Sequence, residues 1–435
     1  MNRLHTSGAL ALLYAVTALT LNGQQRSLTI EESVGLALEN SRALHSSLMK
    51  SNYAVARSSE TSANLYPTLK FQGGYQKLSD VPAIVTPIIS IPNIPNVYAA
   101  KASFQQPIFT GWKLQSAADN AEYSSNAALS EYANDKAELV YNIKSAYWNV
   151  YRAKEIKRLA DDNVDQISHH LADIENHLRQ GMATTNEVLK VKVQLSNSKV
   201  LQSEAANNVQ IAMIAFNSTV GIPLDTDIGI ASSLTPTSKE FTDLQQLLTM
   251  ALTRRPDIQA MEWRVRASKS GVTAAHGGWL PQVFLTSNYY SSRPNQRIFP
   301  PKDEFKDTWD VGINLQFDIW NNLTTVYQSQ EAESQYEQTK DGAAMLKDGV
   351  TLEVTQNYLN FKQAKQKIQL AQLGVEQSNE NLRVTEEKFK AGLTTNSELL
   401  DAEVAQLQAK LQLVQARVDH ELAQARLEKS IGEAI

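Results

Sequence analysis

The chain contains one short stretch twice, and this internal repetition constrains its fold more than any other feature. LRQGMATTNEVL occupies residues 178–189, and FKAGLTTNSELL occupies residues 389–400. Each stretch lies between two long segments with helical periodicity, and its glycine is typical of a helix end. We therefore expect each stretch to be a tight turn between two helices. Asn396 or Ser397 is the expected cap of the helix after the second turn.

The repetition extends beyond the turns with a nearly constant spacing. Gly181 and Gly392 are 392 − 181 = 211 residues apart, whereas Pro67 and Pro281, further upstream, are 281 − 67 = 214 apart. A difference of this kind is typical of a variable loop that has lost residues in one copy. The sequence thus predicts two tandem structural repeats. The predicted division is a signal peptide at 1–23, a first repeat at 24–221, a linker or equatorial segment at 222–241 and a second repeat at 242–435.

Composition excludes several classes of protein. A net charge of −5 is too mild to suggest a nucleic-acid partner. The chain has no cysteine, so we expect no disulfide, thiolate metal site, cysteine nucleophile or lipid-modified cysteine. Arg3, the apolar stretch 9–21 and the small residue Gly23 predict a secretory signal peptide. No later stretch is apolar enough for a spanning helix, so an exported chain like this would cross a membrane only as strands.

Four segments alternate apolar and polar residues, as β-strands with two different faces do. Each is about as long as a tilted strand that crosses a bilayer, and aromatic residues crowd the strand ends. The alternation therefore favours membrane strands. The alternative is a soluble β-subdomain whose apolar face covers a core, but few amphipathic elements remain to cover it. The predicted strands are 68–78, 98–109, 282–290 and 308–320.

Two segments, 112–180 and 322–391, predict helices of unusual length. The first has neither glycine nor proline and would be roughly 100 Å long as one helix. Apolar residues recur seven apart in both, with Lys157 as the one lapse, which predicts left-handed supercoiling against neighbouring helices. The spaced residues are Ile143, Val150, Val164, Leu171 and Leu178, then Val354, Phe361, Ile368, Val375, Leu382 and Phe389. Further helices are expected at 28–66, 185–220, 242–277 and 396–431, and Pro256 is expected to break or restart the one at 242–277 after Arg255.

Four strands cannot close a barrel, and an open strand edge is not tolerated in lipid. Several chains would therefore have to share one barrel. Two chains would give eight strands and a lumen filled by side chains, whereas three would give twelve strands and room for a channel. Because each long helix has only partners of its own kind, the helices would continue as a shared tube.

The chain resembles the TolC family of outer-membrane efflux proteins over essentially its whole mature sequence. The resemblance is carried by FNSTVG at 216–221, ALTRRPDI at 251–258, FKAGLTTNSELLD at 389–401 and the duplication. It implies an α+β membrane protein: a homotrimer with a twelve-stranded transmembrane β-barrel, four strands per chain, in outer-membrane lipid. A long periplasmic α-helical coiled-coil barrel would continue it.

The resemblance also implies a function and partners. The protein would be the passive exit duct of a tripartite export system, joining a periplasmic adaptor and an inner-membrane efflux pump or ABC transporter. A periplasmic coiled-coil scaffold with a soluble β-subdomain is the alternative function. By resemblance, the residues that meet the adaptor are Gly181, Met182, Ala183, Thr184, Gly392, Leu393, Thr394 and Thr395.

Glu398 and Asp401 match the positions at which the family places an acidic ring at the channel entrance. Three copies would gather six carboxylates around a narrow axis, which would favour cations. The alternative is that both acids only compensate a helix dipole. The first copy has Glu187 and Lys190 at the equivalent sites, so a ring there would be partly self-neutralised.

Three histidines, His169, His170 and His177, lie on one predicted helix. No well-spaced set of carboxylates accompanies them, so we interpret them as an exposed helix face and predict no metal site. The sequence shows no convergent nucleophile, base and oxyanion set and no phosphate loop. We therefore predict neither enzyme activity nor a cofactor.

Overall fold

The computed structural model of the chain describes residues 27–80, 82–85, 90–231 and 239–433. The predicted signal peptide at 1–23 and residues 232–238 of the predicted linker lie outside this part of the chain. The helices within it are α1 (Ile30–Asn40), α2 (Arg42–Ala63), α3 (Lys113–Arg179), α4 (Thr185–Val220), α5 (Leu244–Arg254), α6 (Pro256–His276), α7 (Thr324–Lys390) and α8 (Asn396–Ser430). Among the described residues, none of these helices combines the length and the apolar character needed to cross a lipid bilayer.

The strands are β1 (Ser27–Leu28), β2 (Thr68–Lys77), β3 (Ile84–Val85), β4 (Ser90–Ile91), β5 (Asn96–Phe109), β6 (Gly229–Ile230), β7 (Gln282–Arg293) and β8 (Lys306–Gln316). Strands β2, β5, β7 and β8 form one antiparallel sheet in that order. The central pair, β5 and β7, joins the two halves of the chain. Strands β2 and β8 lie at the edges, and within the described residues neither has a strand on its outer side.

The two faces of this sheet differ in polarity, as the alternation predicts. The exposed fractions of Trp309 and Ile313 are 72% and 74%, so the described chain leaves the apolar face uncovered. On the opposite, polar face, Asn288 Nδ2 donates a hydrogen bond to the Asp310 carboxylate at 2.8 Å. The apolar face carries Phe71, Tyr75, Phe104, Leu285, Tyr289, Trp309, Val311, Ile313 and Leu315; the polar face carries Lys70, Gln72, Lys101, Ser103, Thr286, Asn288, Tyr290, Thr308, Asp310 and Asn314.

Two of the predicted strand ends are wrong by more than two residues. The strand predicted at 308–320 ends at Gln316, because Gln316 pairs with Gln282, the first residue of β7, and the residues after it have no partner strand. The strand predicted at 282–290 continues to Arg293, since Arg293 still pairs with Tyr98 on β5. The strands predicted at 68–78 and 98–109 are observed at Thr68–Lys77 and Asn96–Phe109.

The single helix predicted at 28–66 is two helices, α1 and α2. Ser41 interrupts it with an extended backbone (φ −68°, ψ 110°), and its hydroxyl accepts a hydrogen bond from the Leu44 N–H at 3.2 Å. That contact caps a new helix. The break expected at Pro256 is present, with Arg255 extended and α6 beginning at the proline.

The long helices pair as hairpins, α3 with α4 and α7 with α8, and α3 also contacts α6 and α8. The seven-residue seams lie inward: Ile143, Val150 and Val354 are fully buried. Lys157, the polar residue that interrupts the seven-residue series, is partly exposed, and its ammonium pairs with the Asp161 carboxylate at 2.6 Å. The heptad pattern therefore predicts the packed faces of both long helices.

The two largest apolar cores of the described residues lie far from the turns. In the first, Tyr147, Phe216 and Val220 are buried together, and the Tyr147 hydroxyl donates to the Leu28 carbonyl at 3.1 Å. The second core includes Val354, Phe361, Leu427 and Ile431. The turn ends contain smaller buried clusters: Ile167, Ile174, Val188 and Val191 in the first hairpin, and Leu382, Leu399 and Ala402 in the second.

Candidate functional site at the helix turns

Both predicted turns are present, and they have the same backbone geometry. Gly181 and Gly392 have φ values of +74° and +70°, in the left-handed region that favours glycine. The next N–H in each turn reaches back to the preceding helix: Met182 N–H donates to the His177 carbonyl, and Leu393 N–H to the Lys388 carbonyl, both at 2.8 Å. This is the Schellman pattern, which satisfies helix-end carbonyls.

The turns present apolar side chains to solvent. Met182 and Leu393, at matching positions, are 64% and 77% exposed. A Cβ built on Gly181 or Gly392 would meet no atom within 4 Å, so the turns are open and uncovered in the described chain. Exposed apolar side chains on a rigid turn are suited to contact another protein.

The helices after the turns begin with capping boxes. Thr184 caps α4: its N–H donates to the Glu187 carboxylate at 2.7 Å, and its hydroxyl accepts from the Glu187 N–H at 3.3 Å. Thr395 caps α8 in the same way with Glu398, at 3.5 and 3.3 Å. The predicted caps, Asn396 and Ser397, are therefore wrong. Thr395 precedes a glutamate by three residues, the spacing that a capping box requires.

The two predicted entrance acids differ in their contacts. Glu398 is exposed, but its carboxylate accepts from Thr395 N–H and from the Thr394 hydroxyl, so it is held against the turn. Asp401, one helical turn on, is exposed and makes no hydrogen bond or ion pair within the described residues. Of the two carboxylates, that of Asp401 is therefore the less constrained by neighbouring groups.

The equivalent residues of the first hairpin are arranged differently. The pKa of Glu187 is lowered by hydrogen bonds from the backbone and hydroxyl of Thr184. Lys190 extends toward the second hairpin, where its ammonium donates to the Ser397 hydroxyl at 3.0 Å. A positive group of one hairpin therefore lies beside the acidic helix start of the other.

The exposed-face interpretation is wrong for His170. This ring is buried between α3 and α8, with Nδ1 2.9 Å from the Glu403 carboxylate and Nε2 2.7 Å from Asn396 Oδ1. The sequence did carry a signal, since His170 follows Ile167 by three residues and precedes Ile174 by four, and both isoleucines are buried. His169, by contrast, is exposed as expected.

The His170 cluster ties the two hairpins together and favours a charged ring. Burial opposes the charge, but the hydrogen bonds and charge of Glu403, helped by Asn396 and Asp173, outweigh it and raise the pKa of His170. The Phe389 ring packs edge-on against the imidazole, with ring centres 5.9 Å apart. In the described residues, no group of three or more histidine, aspartate and glutamate side chains is arranged to hold a metal ion.

Exposed apolar strands continued by paired helices roughly 100 Å long define a class of protein, the outer-membrane channel with a helical extension. A family model described as outer membrane efflux protein matches residues 34–221 and 247–433. The chain belongs to this family, whose members are outer-membrane channel proteins rather than enzymes.

Named relatives and solved structures agree with this assignment. The outer membrane efflux protein BepC of Brucella suis biovar 1 (strain 1330) is 23% identical over 330 residues, 75% of this chain and 70% of BepC. The outer membrane protein TolC of Vibrio cholerae serotype O1 is 21% identical over 423 residues, 95% of this chain and 92% of TolC. The crystal structure of the outer membrane protein VceC from Vibrio cholerae matches with a TM-score of 0.80 at 18% identity, covering 93% of this chain and 96% of VceC.

Proposed function

We propose that three copies of the chain form one twelve-stranded barrel in the outer membrane. The observation that carries this proposal is the four-stranded sheet, which has an exposed apolar face and, among the described residues, two unpaired edges. An unpaired edge is unfavourable in lipid, so β8 of one copy would pair with β2 of the next. Twelve strands leave space for a lumen lined by the polar face.

The chain would consist of two tandem repeats, residues 24–221 and 242–435, joined by the segment 222–241. The family model matches twice, once in each half. The breaks at Ser41 and Arg255 also support the repeats, since 255 − 41 = 214 is the spacing of the upstream landmarks. Each repeat contributes two strands to the sheet and one long hairpin to the proposed periplasmic tube.

The assembled trimer would act as the passive exit duct of a tripartite export system. The two turns would dock a periplasmic adaptor, which would connect the duct to an inner-membrane pump or ABC transporter. The exposed Met182 and Leu393 support this role, because apolar side chains on an open turn provide contact area to a partner. The proposed docking residues are Gly181, Met182, Ala183, Thr184, Gly392, Leu393, Thr394 and Thr395.

Glu398 and Asp401 would form the acidic channel entrance. Both are exposed at the start of α8, close to the turn. The capping role of Glu398 is compatible with this function, since a capping carboxylate keeps its negative charge. Three copies of each acid would make the entrance favour cations.

A planar-bilayer recording tests the duct and its entrance. The detergent-purified protein should give channel steps that are cation-selective in asymmetric salt. Glu398→Gln with Asp401→Asn should lower the cation selectivity while preserving the capping box, because glutamine also serves in it. Glu187→Gln is the matched control, since it changes the same type of cap in the first hairpin.

The outcomes separate the two parts of the proposal. Channel steps whose selectivity is the same in the double variant and in Glu187→Gln would exclude the acidic entrance and leave the duct. A protein that stays soluble without detergent and gives no current would exclude the duct and favour the scaffold.

A further inference from the structure

The polar face of the sheet contains a cleft of about 550 Å³ near the end opposite the helices. Two neighbouring rows of paired residues cross this part of the sheet. One row, Gln72, Lys101, Tyr290 and Thr308, lines the cleft; the next row, on the side toward the helices, is Lys70, Ser103, Asn288 and Asp310. Charged and polar side chains therefore face the same side at consecutive heights.

The loop between β7 and β8 folds over this cleft and is fixed there by Asn295. This side chain is buried, with 4% of its area exposed. Its Nδ2 donates to the Lys306 carbonyl at 2.8 Å, and its Oδ1 accepts from the Arg297 N–H at 2.9 Å. The backbone of Arg297 is thus held at the edge of the polar face.

The charged groups of Arg297 and Lys101 both lie close to the Tyr290 ring. The Arg297 guanidinium carbon is 4.3 Å from the ring centre, and Lys101 Nζ is 5.3 Å from it. Both distances fall within the range of cation–π contacts. Arg297 also pairs with Asp310, whereas Lys101 forms no ion pair within the described residues.

The positive charge of this site is not balanced by its surroundings. The other acids that the loop offers have partners: Asp303 contacts Arg293 at 2.8 Å, and Glu304 contacts Lys306 at 3.3 Å. Asp307 contacts Tyr289 and Ser291, which belong to the opposite, apolar side of β7. The charges left at the site are Lys70, Lys101, Arg297 and Asp310. Three positive groups and one negative group give 3 − 1 = +2 per chain.

We propose that this cluster is a basic selectivity site in the barrel lumen, which favours anions over cations. Lys101 and Arg297 are its specificity-determining residues, and both cations lie against the Tyr290 ring. The ligands are anions of the inorganic or carboxylate type that pass the lumen. This inference rests on the proposed trimeric duct, because only a closed barrel turns the polar face of the sheet into a lumen.

The test uses the Glu398→Gln/Asp401→Asn background, in which the entrance acids no longer dominate selectivity. Reversal potentials should be recorded in gradients of potassium chloride near 0.1 M, where the Debye length is about 10 Å. The background channel should favour chloride over potassium. Adding Lys101→Gln and Arg297→Gln should bring the permeability ratio to about one, because the net charge of the cluster falls to zero.

Two further variants keep the result interpretable. Lys101→Gln alone removes no ion pair, so it should shift selectivity in the same direction without disturbing the loop. Lys77→Gln, at the same end of the sheet but on its opposite, apolar face, should leave the ratio unchanged. Open channels with the same ratio in all variants would overturn this inference, whereas absence of any channel would overturn the proposed duct itself.

Discussion

Val311 provides the most direct test of the membrane-facing sheet. It lies at the middle of β8, which runs from Lys306 to Gln316, and its side chain is 61% exposed. Trp309 and Ile313, two residues away on either side, share its face. Replacing Val311 with arginine would therefore place a charge near the middle of the proposed lipid-facing surface.

The expected loss of stability follows from the position of Val311 in the strand. Arginine on the lipid face of a barrel near the bilayer midplane destabilises by about 2–4 kcal/mol. A trimer has three copies, so the assembled barrel would lose roughly 6–12 kcal/mol, comparable to the whole stability of an ordinary domain. Little packing is lost in the isolated chain, because most of the valine side chain contacts nothing there. The loss should appear on membrane assembly and not on folding of the helices.

The assay compares outer-membrane fractions for a heat-modifiable oligomer on gels, with circular dichroism as a check of helix content. Val311→Arg should abolish the oligomer. The matched control is Asn314→Arg on the same strand but on the polar face, where only a hydrogen bond from Asn314 to the Thr286 hydroxyl is lost. Normal oligomer yield from Val311→Arg, or equal loss in both variants, would refute the assignment of the apolar face to lipid.

Two further predictions concern the turn end of the hairpins. The raised pKa of His170 means that its charge stabilises the fold below the unfolded imidazole value of about 6.5 and that this stabilisation is lost as pH rises through the folded value. Thermal unfolding midpoints of the wild type should therefore fall as pH rises above about 6.5. Glu403→Gln should make this fall smaller. Parallel curves for the two proteins would exclude a stabilising interaction between charged His170 and Glu403. Thr395→Ala should destabilise the first turn of α8 by about 1 kcal/mol, so amide hydrogen exchange in that turn should become about fivefold faster. Ser397→Ala should leave the exchange rate of that turn unchanged. Equal exchange in both variants would contradict the capping assignment.

Local pattern predicts the helices of this fold well, because their packing repeats along the chain. Each heptad residue, such as Val150 or Val354, meets the same kind of neighbour one turn further on, so the period alone identifies the buried face. The two helix turns can also be predicted from their glycines, since the φ values near +70° that the turns require are adopted readily by glycine.

The predictions that were wrong depend on contacts outside the local pattern. The end of β8 is set by where β7 begins, more than twenty residues earlier, and no period within β8 contains that information. The cap of α8 lies in a run of residues that all cap helices well, and only the pairing of Thr395 with Glu398 selects one of them. His170 is buried because Glu403, far along the chain, supplies an acceptor for its proton.

The two proposed charged regions lie in series along one path, which makes their contributions separable. In a duct with a narrow acidic entrance, the entrance dominates the resistance and therefore the measured selectivity. The basic cluster at Lys101 and Arg297 would then have little effect on the wild-type ratio and a large effect once Glu398 and Asp401 are neutral. Lumen variants made in the wild-type background alone would thus miss it. The order of substitution, entrance first and lumen second, is what distinguishes a selective lumen from a neutral one.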